Sequence, residues 1–307
     1  MKNRNILVVG DVILDEYTHG SKLGVSAETP TIVANYQRTD RFVGGAGLVV
    51  RHLLRLGANV RLLTVGGDES LWTRLVESTD APTSEELNRL SYSPIVGKGW
   101  KWTEKRRFYV DDYKMVQYDI RNEAYYSMDL RKIMEDAYVQ ARNVADAVVV
   151  CDNRHGTMDY YLMDLIRNKH DRYGGKLFVD CQVSQSDSQH SNYAGADMMF
   201  LNLKELDAVV GKPRERDCIV DRVLEAKRRL RSGITLKLGH LGSATVTKDS
   251  DEYVESEAYD VRAVDTCGAG DAYLAAYAVS EDADFANRWA GLSTTYKGTI
   301  VPEKGSL

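Results

Sequence analysis

An alternation that recurs along the chain constrains the fold most: an apolar run, a polar residue at its end, then a helix-like segment. Ile6 to Val9 runs into Gly10 and Asp11, Ala147 to Val150 into Cys151-Asp152-Asn153, and Lys176 to Val179 into Asp180. Asp197 to Leu201 runs into Asn202, and Ile234 to Leu238 into Gly239, with helical patterns over Leu130 to Ala145 and Leu162 to His170 between strands. Runs of this kind are strands buried on both faces. Their alternation with helices predicts an α/β fold, a three-layer sandwich with a mostly parallel central sheet. Ligands of such sheets lie at the carboxyl ends of the strands, so the polar strand ends, Asp152 among them, would form one active-site edge. Thr31 to Ala34, Arg106 to Val110 and Met115 to Ile120 have β character outside this alternation. They predict a small β-sheet lid drawn from about residues 14–43 and 95–120.

At 307 residues the chain is long enough for one large domain, and a single domain over 1–307 is expected. The net charge of -5 gives no reason to expect a nucleic-acid partner. Cys151, Cys181, Cys218 and Cys267 are far apart, so neither a zinc site nor a disulfide framework is indicated. Met1 to Asn5 leads into the first strand without a hydrophobic leader, and no apolar run is long enough to span a membrane. A soluble cytoplasmic protein with no membrane partner is expected. Between residues 69 and 99 the one legible feature is a helix start near Asp80 to Glu86, with Ser84 as its cap.

The densest chemistry lies in Val264-Asp265-Thr266-Cys267-Gly268-Ala269-Gly270-Asp271, followed by the helix-like run Ala272 to Ser280. Small residues at a helix start let the N–H groups of Gly268, Ala269 and Gly270 converge on an anion. Asp271, at the mouth of that anion hole, suits a base that takes a proton from a hydroxyl attacking phosphorus. Asp11 and Asp15 suit the hydroxyls of a sugar, and Gly44 and Gly45 let the backbone approach it closely. On a strand Lys105 and Arg107 share one face, which would meet a phosphate already on the substrate or be a solvated lid or dimer face. Asn202 and Glu205, three apart at a helix start, form either a cap or a pair in which Asn202 contacts a phosphate and Glu205 orients magnesium-bound water. Lys237 would reach phosphates, and His240 serves there or on the surface.

The Asp265 to Asp271 stretch resembles the C-terminal motif of the ribokinase/fructokinase-like (PfkB) carbohydrate kinases. Gly10-Asp11 to Tyr17, Gly44-Gly45-Ala46, Val60 to Asp68 and Asn202-x-x-Glu205 resemble other motifs of that family in the same order. Ser26-Ala27-Glu28-Thr29-Pro30, and Lys105-Arg106-Arg107 with Gln117-Tyr118-Asp119, resemble the subgroup that phosphorylates D-glycero-D-manno-heptose 7-phosphate at its anomeric carbon. The resemblance implies a ribokinase-like fold and an ATP- and Mg2+-dependent sugar kinase. Gly239 and Gly242 would pass under ATP and Asn287 would border the adenine. The carbonyls of Asp265 and Cys267 would help to bind K+. The exposed strands of the lid sheet suggest a homodimer formed through the lid. Leu48 and Val49 stand near where the family carries a sugar-binding Asn, which leaves open a kinase of another sugar, sugar phosphate or nucleoside. A non-catalytic sugar- or nucleotide-binding protein of the same fold is the rival from another class. With the chain stopping at Leu307, no nucleotidyltransferase domain of the kind fused to some heptose kinases is expected.

Overall fold

A computed structural model describes residues 4–68, 70–92, 95–184, 188–215, 217–303 and 305. Among these, nine strands form one sheet, ordered Val254–Ser256, Ser243–Val246, Gly233–Lys237, Met198–Asn202, Lys176–Cys181, Ala147–Asp152, Asn5–Gly10, Asn59–Leu63 and Leu90–Tyr92. Every pairing from Gly233–Lys237 to Leu90–Tyr92 is parallel, and the two strands at the other edge are antiparallel. This is the expected three-layer α/β sandwich. The antiparallel edge and the short strand at Leu90 are additions to it.

The two-residue period of the strands builds the layers. Ile6 and Val8 pack with helices Ala46–Arg55, Ala269–Ser280 and Ala283–Ser293, whereas Leu7 and Val9 pack with Met128–Arg142, Tyr160–Tyr173, Leu203–Val210 and Ile219–Leu230. Helix Ala269–Ser280 is apolar on every side, and Ala272 to Val279 are all buried beneath the two helices beside it. Trp289 Nε1 donates to His52 Nδ1 at 3.0 Å and joins those neighbours. Burial, with Arg51 and Arg55 close by, pushes His52 down to about 3, so its ring is neutral and able to accept. Among the described residues no helix is long and apolar enough to cross a membrane.

Four strands make a second sheet, in the order Ile32–Gly45, Val12–Val25, Thr103–Val110, Tyr113–Ile120. The first two are far longer than Thr31 to Ala34 suggested. Val12–Val25 leaves the central strand Asn5–Gly10 after the single residue Asp11, so Asp15 stands on a lid strand rather than in a loop. Parallel pairing sets Asp15 opposite Lys105 and Tyr17 opposite Arg107. Ser26 to Pro30 is the turn at the far end of the hairpin, with Ala27 to Pro30 exposed. The cap of the short helix Ser84–Leu87 is Thr83, not Ser84: Thr83 and Glu86 form a reciprocal capping box, and Ser84 is the first helical residue.

Candidate active site

Helix Ala269–Ser280 begins at the edge where the parallel strands end. Gly268 adopts φ 81°, a left-handed conformation that glycine takes without penalty, and no side chain caps the helix start. The amides of the first turn therefore remain available to an anion. A Cβ on Gly268 would stand 2.6 Å from Leu48, so the loop rests directly on helix Ala46–Arg55. Of the three amides singled out by the sequence, that of Ala269 already donates to the Thr266 carbonyl at 3.3 Å. Gly268 and Gly270 flank it.

Asp271 keeps a solvent-accessible edge but is otherwise closely surrounded. Burial, reinforced by the Asp180 carboxylate and opposed by Lys237, pushes it up to about 7. Asp180, which the sequence marked only as a strand end, is therefore part of the site. Its Oδ2 accepts a short hydrogen bond from Lys237 Nζ. Asp180 shares the face of Phe178, and Lys237 that of Thr235, which is the face covered by helix Ala269–Ser280. Lys237 Nζ also lies 3.4 Å from where a Cβ on Gly270 would be, beside the helix start. Burial works against the Lys237 charge, yet Asp180 and Glu205 outweigh it and hold this lysine above its ordinary range. Glu205 is pushed up to about 7 by burial and then by Asp180. One ammonium thus serves three carboxylates.

On the lid side, Arg107 Nη1 donates to Asp15 Oδ1 at 2.5 Å, its guanidinium lies 4.9 Å from the Tyr17 ring centroid, and its Nε donates to Gln117. These partners tie the Arg107 charge to Asp15. Lys105 differs. Among the described residues it has no hydrogen bond or ion pair, and its charge acts on Asp271. Gly44 gives Asp15 room, since a Cβ there would stand 2.5 Å from Asp15 Oδ2.

Asp11 and Asp152 are placed otherwise than expected. Asp11, 2% exposed, accepts from the amides of Asn153, His155 and Thr157 at 3.0, 3.1 and 2.8 Å. It pins the loop after strand Ala147–Asp152, and any sugar hydroxyl would share those oxygens. Asp152 follows Val148 and Val150 toward the opposite helix layer, where Tyr193 and Cys181 donate to its Oδ2 and the Arg154 amide to its Oδ1. Burial and the nearby Asp11 push it up to about 6. The period-two parity of the strand turns it away from Asp271, so the structure corrects its assignment to the substrate.

Asn202 and Glu205 form a complete capping box, with side-chain-to-amide distances of 3.0 and 2.8 Å. The cap reading holds, and it also fixes Glu205 beside Asp180 and Lys237. Gly239, at φ 62°, borders open space, whereas Gly242 is pressed against the backbone at Ser256. Asn287 donates to Ser243 Oγ and the Ser256 carbonyl, both at 3.1 Å, so it ties the two antiparallel edge strands together. Asp265 accepts from the amides of Cys267 and Gly298, each at 3.0 Å, and so shapes the loop ahead of Gly268. His240 is exposed. Among the described residues no group of three or more His, Cys, Asp or Glu side chains is arranged to hold a metal ion.

A sheet-edge anion hole with a carboxylate titrating near neutrality, facing a lid, defines a phosphoryl-transferring α/β enzyme. A family model described as pfkB family carbohydrate kinase matches residues 117–304, and the chain belongs to that family. The chain is 28% identical over 316 residues to the bifunctional protein HldE of Coxiella burnetii (strain Dugway 5J108-111), covering 97% of this chain and 62% of that one. The HldE of Sulfurimonas denitrificans is 25% identical, with coverages of 94% and 60%. The chain thus spans about three-fifths of the length of these relatives. In fold it is similar to Escherichia coli phosphofructokinase-2 in complex with potassium, with a TM-score of 0.74, 18% identity and coverages of 97% and 95%. Arabidopsis thaliana ribokinase complexed with ribose and ATP gives 0.72, 18%, 98% and 97%.

The raised Asp271 carboxyl couples the site to stability. Its folded value, about 7, lies above the ordinary 3.8 of the unfolded chain. It therefore contributes stability that is fully present below about pH 4 and lost as pH rises through 7. Asp271→Asn should melt above the wild type at pH 8, with the gap closing toward pH 4. Thermal melts across that range check this, and a gap independent of pH would contradict it.

Proposed function

We propose that this kinase transfers the γ-phosphoryl group of ATP to the anomeric hydroxyl of D-glycero-D-manno-heptose 7-phosphate. The observation that carries the reading is Asp271, a carboxylate held near neutrality at an uncapped helix start. A base is most effective when its pKa lies near the working pH. Asp271 takes the hydroxyl proton as the sugar oxygen bonds to phosphorus and the bond to the ADP oxygen breaks. The amides of Gly268 and Gly270, with Lys237 beside them, offset charge on the transferring group. Asp15 orients the sugar, and Gly44 and Gly45 allow its close approach. The similarity to HldE proteins, along with the ammonium of Lys105, which has no ion pair among the described residues, supports an acceptor that already carries a phosphate.

Asp180 and Glu205 supply the oxygen chemistry that suits Mg2+ arriving with ATP and held through water, and that ion would neutralise phosphate charge. The carbonyls of Asp265 and Cys267 lie in a loop whose shape Asp265 fixes, and they are the proposed K+ ligands. Cytoplasmic location belongs to the same reading, as does a homodimer through the lid. Leu23, Val25, Tyr36, Tyr113 and Val116 are exposed apolar residues of the lid strands.

ATP consumption should be measured with heptose 7-phosphate, fructose 6-phosphate, ribose and a nucleoside. Heptose 7-phosphate is expected to give the highest kcat/KM, and preference for another acceptor would reject it as the substrate. Asp271→Asn should lower kcat roughly 10²-fold or more while the protein folds normally. Near-normal turnover would remove the base assignment. Lys105→Ala should raise KM for heptose 7-phosphate about tenfold and spare unphosphorylated sugars, as expected for one charge-assisted contact. For the dimer, Val25→Glu should convert a species of twice the chain mass into a monomer by light scattering, and an unchanged mass would place the interface elsewhere.

A further inference from the structure

The loop Thr295 to Thr299, just after helix Ala283–Ser293, touches both the lid and the residues that shape the anion hole. On the lid side, Gly298 adopts φ 81°, and a Cβ there would stand 2.9 Å from the Phe42 ring, so a bare backbone is what lets Phe42 seat on it. Phe42 packs edge-to-face with Tyr17 at 5.5 Å between centroids, and Tyr17 stacks on Tyr109 at 5.9 Å. The seat therefore carries the inner face of the lid sheet, where Tyr17 and Phe42 are buried. Lys297 adds a charge: its Nζ donates to Asp112 Oδ1 at 2.8 Å and stands 5.9 Å from the Tyr109 ring centroid. Asp111 and Asp112, at φ 48° and 63°, make the turn between strands Thr103–Val110 and Tyr113–Ile120, so the ion pair grips the tip of the lid. On the other side of the loop, the Gly298 amide donates to Asp265 Oδ2 and the Cys267 amide to Asp265 Oδ1, each at 3.0 Å. Thr299 Cγ2 lies 3.3 Å from where a Cβ on Gly268 would be. Contacts thus run unbroken from the lid tip to the helix start at Gly268.

We propose that Lys297 is a positioning residue whose ion pair with Asp112, beside the seat of Phe42 on Gly298, latches the lid to the loop that shapes the anion hole, so that the two hold or loosen together. The inference rests on the sugar-kinase reading, in which the lid carries the acceptor and the helix start carries the transferring group. Lys297 and Asp112 are 54% and 81% exposed, and an exposed pair of this kind contributes little free energy. That weakness suits a latch that must break at every turnover, because a strong one would hold the product in.

Hydrogen exchange read by mass spectrometry, without any ligand, compares the wild type with Lys297→Gln and Asp112→Asn. Asparagine tolerates the left-handed conformation at position 112, so that variant removes the charge alone. Exchange should quicken about two- to fivefold, the span of one exposed ion pair, in peptides covering the lid turn and also in those covering Asp265 to Gly268. The double variant should exchange no faster than either single one, and Lys297→Arg should keep the wild-type rates. Quickening confined to the lid turn, additive effects, or no change at either place overturns the inference. In turnover with the acceptor of highest kcat/KM in the panel above, both charge-removing variants should raise acceptor KM by the same factor, with Lys297→Arg near the wild type. An acceptor KM unmoved in both overturns it as well. A wild type that phosphorylates none of those acceptors overturns the sugar-kinase reading, while the ligand-free exchange still decides the latch.

Discussion

The ion pair between Lys237 and Asp180 sets the electrostatics of the whole catalytic edge. Asp180 raises both Glu205 and Asp271, on top of their burial. Without the Lys237 ammonium, Glu205 and Asp271 would be driven still further toward their neutral forms. Strand register makes the pair possible: Asp180 aligns with Phe200, which aligns with Thr235, and Lys237 stands two residues further along on the same face. Its long side chain reaches back across the intervening strand. The sheet is in this sense the scaffold of a charge balance, and the helix start at Gly268 is placed on top of it.

That balance decides what Asp271 can do. The positive end of helix Ala269–Ser280 and Lys237 favour its ionised form, while burial and Asp180 oppose it. Opposition wins by enough to bring the carboxyl to neutrality and no further. A solvated aspartate would be too weak a base to take a hydroxyl proton readily, and one buried without Lys237 would stay protonated. The same competition acts on Glu205, whose capping box with Asn202 holds it at a fixed distance from the other acids.

How much of this was legible in the sequence depended on how local the determining contacts are. Apolar runs such as Ala147 to Val150 announced the central sheet because strands covered on both faces need apolar side chains at every position. The lid hairpin was longer than expected because Val12–Val25 mixes apolar, charged and glycine residues and is held by pairing with Thr103–Val110, far away in the chain. Asp271 and the small residues before it were visible as a contiguous motif. Asp180 was not, because its importance arises from Lys237, 57 positions later. Asp152 was misplaced for a simpler reason: a strand end selects a sheet edge, but the parity of the residue selects the side.

The contact of Leu48 with Gly268 bears on how the acceptor is chosen. A Cβ on Gly268 would fall 2.6 Å from the Leu48 side chain, so buried Leu48 is a support for the loop at the helix start. A support cannot read hydroxyls. On the proposed function, selection would pass to Asp15 and Lys105 on the lid, while Asp271 stands over the central sheet. A sugar held by the lid residues with its hydroxyl at Asp271 would draw the lid and the central sheet into one arrangement, and an acceptor that lacks one contact would leave them less tightly joined. Closure that depends on the correct acceptor would also exclude water from Asp271, so the contacts that choose the sugar would be the same ones that suppress transfer of the phosphoryl group to water.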